Sequence, residues 1–145
     1  MKHTLNNLKA TKRLATQFVK DLHGGEWFIL SGELGAGKTT FVQFVAEALG
    51  VAKEVASPTF VLMREYKTIH PVVKKLYNLD LYRLDNLLEL EELGLKDLFE
   101  EKDAAVFIEW GEKFVDFLKK FNPRQILFEH GDKNSQRIIE IKDPR

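Results

Sequence analysis

The sequence predicts an α/β domain of three layers, with a mostly parallel central sheet, antiparallel additions and a C-terminal β-hairpin. Three observations predict it. Short apolar runs, EWFIL, KLYNLD and AAVFIEW, alternate with stretches whose apolar residues recur at helical spacing. AAVFIEW is almost continuously apolar, as a strand covered on both faces must be. RQILFEH and RIIEIK are separated only by the turn-forming GDKNSQ, which closes a hairpin. A chain of 145 residues is the size of one ordinary domain, 1–145, and can bury a core without disulfides or a structural metal.

The elements follow in order. The start, MKHTLNNLKATKRLATQF, is polar and helix-like; from Lys9 to His23 the residues Leu14, Phe18, Val19 and Leu22 mark a helix that Gly24-Gly25 stops. Glu26 to Leu30 is a strand leading into a glycine loop, and Lys38 to Leu49 is a helix with Phe41, Val42, Val45, Ala48 and Leu49 on its apolar stripe. SPTFVLMREY reads as a strand opened by Ser57-Pro58, and Lys75 to Asp80 as another that ends in a carboxylate. Asp85 to Asp103 is helix-like, interrupted at Gly94. AAVFIEW ends in a second carboxylate, Glu109, and GEKFVDFLKKF is an amphipathic helix.

Composition narrows the classes of function. The 22 basic and 22 acidic residues cancel, so no overall field recruits nucleic acid or anionic lipid, and any such contact needs a local patch. Two patches stand out. Lys2, Lys9, Lys12, Arg13 and Lys20 occur in the first twenty residues without an acid, and Asp85 to Asp103 carries eight acids against Lys96 and Lys102. The absence of cysteine excludes disulfides, thiolate metal sites and a cysteine nucleophile. His3, His23, His70 and His130 have no ligand spacing, and no apolar run approaches the ~20 residues of a membrane span, so no membrane association and a cytoplasmic location are expected.

The chemistry concentrates in SGELGAGKTTF, Ser31 to Phe41. Gly32, four residues, then Gly37-Lys38-Thr39 is the pattern of a phosphate cradle between a strand and a helix. Gly35 and Gly37 let successive N–H groups point into one concavity, to which the helix adds the positive end of its dipole. The candidate nucleoside-triphosphate site is therefore Glu33, Leu34, Gly35, Ala36, Gly37, Lys38, Thr39 and Thr40, with Glu33 turned to solvent. Lys38 supplies charge for the outer phosphates and the Thr39 hydroxyl a ligand for Mg2+. A dinucleotide fingerprint fits less well, because Thr40 stands where its third glycine belongs. Glu109 is the better carboxylate for the ion; Asp80 is suited to orienting or deprotonating an attacking water, or to sharing the metal through an intervening water.

GELGAGKTTF, SPTF, DLYRL and IEW, in this order and spacing, resemble the TsaE (YjeE) family of small bacterial P-loop ATPases over about Leu14 to Glu112. The resemblance implies a P-loop NTPase fold and an ATPase required for threonylcarbamoyladenosine in tRNA. It further implies action through the TsaD–TsaB pair, with any tRNA contact made indirectly through that complex. It implies Thr59 as a switch-like catalytic residue near the terminal phosphate, Asp80 as catalytic beside Lys38, Thr39 and Glu109 on the magnesium, and Trp110 close to the nucleotide. Two positions depart from the family pattern: Asn78, commonly histidine there, and Gly111, commonly proline. A small-molecule kinase is the alternative enzyme, but no arginine cluster marks a lid. A nucleotide-dependent switch with little catalysis is the other alternative.

Overall fold

The chain runs β1 (Lys2–Leu5), α1 (Leu8–Lys20), β2 (Trp27–Gly32), α2 (Lys38–Ala48), β3 (Met63–Lys67), β4 (Lys75–Asp80), α3 (Leu87–Glu91), α4 (Leu95–Phe99), β5 (Ala104–Glu109), α5 (Val115–Leu118), β6 (Arg124–His130) and β7 (Arg137–Ile141). The computed structural model describes residues 1–33, 35–52 and 62–142. Its strands form one sheet in the order β1-β7-β6-β2-β5-β4-β3. The four central strands, β6, β2, β5 and β4, are parallel, and β3 and the β7–β1 pair add antiparallel edges.

The central strands explain the layering. Along β2, Phe28 and Leu30 enter one core with α1 and α2, while Trp27 and Ile29 enter a second core with Leu90, Leu95, Leu98 and Leu118 from α3 to α5. On β5, Ala105 and Phe107 go to the first core and Ala104, Val106 and Ile108 to the second. Alternate residues point to opposite faces, so a strand packed on both must be apolar throughout, as EWFIL and AAVFI are. Phe18 of α1 meets Phe28 of β2 and Phe41 of α2 at ring separations of 4.9 and 5.4 Å.

Four sequence expectations change. Lys2–Leu5 is a strand rather than part of a helix-like segment, because it completes the open edge of β7; Asn7 then caps α1 by accepting from the Ala10 N–H at 2.9 Å. α1 ends at Lys20, and Gly24 instead turns the chain where a β-carbon would lie 2.5 Å from the Lys102 carbonyl. The span from Asp85 to Asp103 holds two single-turn helices, separated at Gly94, whose φ of 75° starts the second. GEKFVDFLKKF is a short α-turn flanked by 3₁₀ turns at Glu112–Phe114 and Lys119–Phe121. Both acid-rich helices are too short to stand without the Leu90, Leu95 and Leu98 anchors that pin them to the sheet. Of the expected strand SPTFVLMREY, Met63–Lys67 is observed; its opening SPTF lies outside the described residues.

Candidate functional site

The C-terminal ends of β2, β4 and β5 lie side by side, with Leu30 opposite Glu109 and Glu109 opposite Asp80. By strand alternation, Asn78, Asp80 and Glu109 share the face covered by α1 and α2. The sharp departure of the chain from β2 requires Gly32: a β-carbon there would come within 2.3 Å of the Phe128 carbonyl. Gly37, at φ 105°, starts α2, and a β-carbon on it would meet nothing within 4 Å, so its backbone faces open space.

Lys38 and Thr39 open α2 beside the two acids. The Thr39 hydroxyl donates to Oε1 of Glu109 at 3.2 Å. The Lys38 ammonium donates to the Gly32 carbonyl at 2.8 Å and sits 3.8 Å from the centre of the Trp110 ring, leaving a side chain only 5% exposed. Trp110 takes a left-handed backbone, φ 60°, which costs a non-glycine residue on the order of 1–2 kcal/mol and turns its ring back over the glycine turn. Tyr82 packs edge-on against it at 5.2 Å.

Glu109 is 4% exposed, and its Oε2 meets no hydrogen-bond partner. Burial pushes its carboxyl above the ordinary 4.5; the Thr39 hydroxyl opposes that shift, the Asp80 charge adds to it, and Lys38 and the Asn78 amide favour the ionised form. Asp80, half-buried, accepts from the Tyr82 backbone N–H at 2.9 Å, and the Leu81 N–H donates to the Glu109 carbonyl at 3.0 Å. Lys113 donates to the carbonyls of Tyr82 and Leu84 at 3.0 and 2.8 Å and so ties down the DLYRL turn.

A hydroxyl, a buried ammonium and an orphaned carboxylate oxygen suit a hydrated divalent cation with its anionic ligand. Mg2+ uses one or two protein ligands and keeps its other positions for water and phosphate oxygens. Among the described residues no three His, Asp or Glu side chains gather in the manner of an all-protein metal cage.

The structure thus brings Lys38, Thr39, Asp80, Glu109 and Trp110 to one place. Gly35, Ala36, Gly37 and Thr40 line a neighbouring cavity of about 680 Å³, and Glu33 is exposed. Leu34 and Thr59 lie outside the described residues. Sequence reasoning missed the far wall of that cavity, which is formed by Asn7, Thr11, Ser135 and Arg137. Asn7 carried a signal as a helix cap; Ser135 and Arg137 carried none, because only the β6–β7 hairpin brings them there. Lys12 of the basic patch pairs with Glu47 of α2 at 2.9 Å. Among the described residues no helix is long and apolar enough to cross a membrane.

Fold and site together define a mixed α/β protein with one seven-stranded sheet, whose polar site lies at the C-terminal ends of the central parallel strands. The chain belongs to the TsaE family: the family model described as threonylcarbamoyl adenosine biosynthesis protein TsaE matches residues 5–139. The chain is 36% identical to the tRNA threonylcarbamoyladenosine biosynthesis protein TsaE of Bacillus subtilis, over 86% of this chain and 73% of that protein. The Streptomyces coelicolor protein of the same name is 40% identical over 74% of this chain and 71% of its own length. The crystal structure of Bacillus subtilis YdiB superposes with a TM-score of 0.76 at 26% identity, covering 100% of this chain and 86% of that one.

Proposed function

We propose that this protein has the P-loop NTPase fold and is a magnesium-dependent ATPase acting in threonylcarbamoyladenosine modification of tRNA, through the TsaD–TsaB pair. The observation that carries the reading is the Thr39 hydroxyl on the Glu109 carboxylate, 3.2 Å apart at the start of α2, beside a buried Lys38. Membership of the TsaE family and the likeness to its tRNA threonylcarbamoyladenosine biosynthesis proteins support the tRNA pathway.

In this reading the glycine turn and the first N–H groups of α2 hold phosphate oxygens. Lys38 exchanges the Gly32 carbonyl and the Trp110 ring for the outer phosphates, which offer a full negative charge in their place. Thr39 and Glu109 would hold the magnesium, which when bound would supply positive charge against the terminal phosphates. Asp80, with one oxygen tied to the Tyr82 N–H, orients the attacking water and takes its proton as the water oxygen bonds to phosphorus and the bridging oxygen leaves. Thr59 serves as the switch-like residue near the terminal phosphate. The cavity walled by Asn7, Thr11 and Arg137 accommodates the sugar and base.

The test is reconstitution of tRNA modification with TsaD and TsaB, with and without this protein, on ATP and on a non-hydrolysable analogue. Multiple-turnover support is expected with ATP only. Full support by the analogue would favour a binding switch, and phosphorylation of a small metabolite would favour a kinase. Lys38→Ala is expected to abolish productive triphosphate binding. Glu109→Ala is expected to retain nucleotide affinity while losing hydrolysis by ~100-fold or more, since its contribution lies in charge stabilisation; normal turnover would refute that assignment.

A further inference from the structure

Four buried polar atoms on three adjacent strands meet no hydrogen-bond partner: Nε of Arg64, both amide atoms of Asn78, and Oε2 of Glu109. They lie on one face. Arg64 is directly opposite Asn78 across the β3–β4 pair, Asn78 precedes Asp80 by one strand repeat, and Asp80 is opposite Glu109. Asn78 is 0% exposed, yet its amide is near enough to the Glu109 carboxylate to favour the charged form.

An unsatisfied buried amide is costly, and folded proteins keep few of them. Here the cost has no packing reason. Leu76 and Leu79, on the same strand, are also 0% exposed, so the strand's surroundings accept fully buried apolar side chains of asparagine's branched shape. What an amide adds is one acceptor and two donors facing a carboxylate oxygen that also lacks a partner. Such an arrangement matches the waters of a hydrated cation, whose outer hydrogen bonds orient its protein ligands.

We propose that Asn78 is a positioning residue for the hydrated magnesium of the nucleotide complex: its amide, through water, aligns the Glu109 carboxylate and holds the ion's hydration shell. The inference rests on the reading of Thr39 and Glu109 as the magnesium site. Asn78 touches no phosphate in this arrangement. Its effect is therefore confined to the metal-dependent part of binding.

The experiment measures affinity for a non-hydrolysable ATP analogue by calorimetry, with saturating Mg2+ and with EDTA, in the full chain and in Asn78→Leu, Asn78→Ala and Asn78→His. Urea midpoints of the nucleotide-free proteins are measured alongside. Asn78→Leu is expected to bind the metal-free analogue within twofold of the parent and to lose ~10-fold or more of the enhancement by Mg2+. Asn78→Ala carries the same expectation for Mg2+ without added bulk, and decides the matter if the leucine variant does not fold. Asn78→His, which keeps a donor and an acceptor, is expected to restore most of the enhancement. An unchanged Mg2+ enhancement in the leucine and alanine variants overturns this inference alone. Equal loss of metal-free and metal-dependent affinity also overturns it, since a merely structural role would act on both. A parent that shows no Mg2+-dependent binding overturns the underlying site reading and this inference with it.

Discussion

At the scale of single residues, the candidate site is held by contacts that the proposed phosphate ligand would replace. The Lys38 ammonium is held by a carbonyl and an indole face rather than by direct pairing with a carboxylate, so in the proposed reading it turns to phosphate at small cost. Trp110 performs this from a left-handed backbone that the flanking Gly111 and the Tyr82 ring help to hold. The ring should therefore report on loading. In a Trp27→Phe background, where Trp110 is the remaining tryptophan, Mg2+ and ATP are expected to change its emission as Lys38 leaves the ring; unchanged emission alongside calorimetric binding would show that Lys38 stays in place. That Lys38, Thr39 and Glu109 come together was readable from residue types, because a glycine loop, lysine, threonine and a strand-terminal acid at these spacings mark one candidate site. The handedness of Trp110 was not, since no property of tryptophan favours a positive φ.

At the scale of elements, β4 carries two unlike sites at its two ends. Its C-terminal end presents Asn78 and Asp80 to the candidate site. Near its start, the Tyr77 hydroxyl donates to both oxygens of Glu101 at 2.9 and 3.0 Å, and Lys75 pairs with the same carboxylate at 3.0 Å. Partial burial pushes Glu101 up, but the hydrogen bonds from Lys75 and Tyr77 together bring it below the ordinary 4.5. Burial and the neighbouring carboxylates push the Tyr77 hydroxyl well above its usual 10.0, so it stays a donor throughout the physiological range. A depressed acid stabilises the fold fully above its unfolded value and loses that contribution as pH falls through its folded value. Glu101→Gln is thus expected to cost ~0.5 kcal/mol at pH 7, modest because the pair is about a third exposed. The difference should shrink as pH falls below the ordinary carboxylate range and through the lowered folded value of Glu101; urea midpoints at pH 7 and at successively lower pH check it. The sequence marked Lys75 to Asp80 as a strand with its observed boundaries, since LYNLD alternates apolar residues with polar ones that the site uses. It did not show that Glu101, twenty-four residues on from Tyr77, closes back on it.

At the scale of the whole molecule, the two ends of the chain meet on one sheet edge. β1 pairs with β7 along its full length, the amino terminus donates to the Ile141 carbonyl at 2.7 Å, and Leu5 is buried in the first core. Deleting residues 1–6 is expected to cost roughly 2–4 kcal/mol from Leu5 and the lost ladder, and to uncover the edge of β7 for pairing with another copy. Urea unfolding and sedimentation at several concentrations read both effects; an equally stable, monomeric product would show that β1 is dispensable. Taken by itself, the sequence determined the alternation of elements, the two-sided burial of the central strands, the glycine turn with Lys38 and Thr39, and the two acids. Each of these is a local property: a spacing, a run of apolar residues, or a residue type whose chemistry is its own. The tertiary structure decided the rest. It made Lys2–Leu5 a strand by offering it an open edge, reduced two expected helices to single turns anchored on the second core, and brought Ser135 and Arg137 to the wall of the cavity beside Gly35. It also left the Asn78 amide and Oε2 of Glu109, on one face of the sheet, without hydrogen-bond partners among the described residues. The physical reason is the same in each case: strand pairing, burial and hydrogen-bond satisfaction depend on groups distant in the chain, and only the folded sheet brings them within reach of one another.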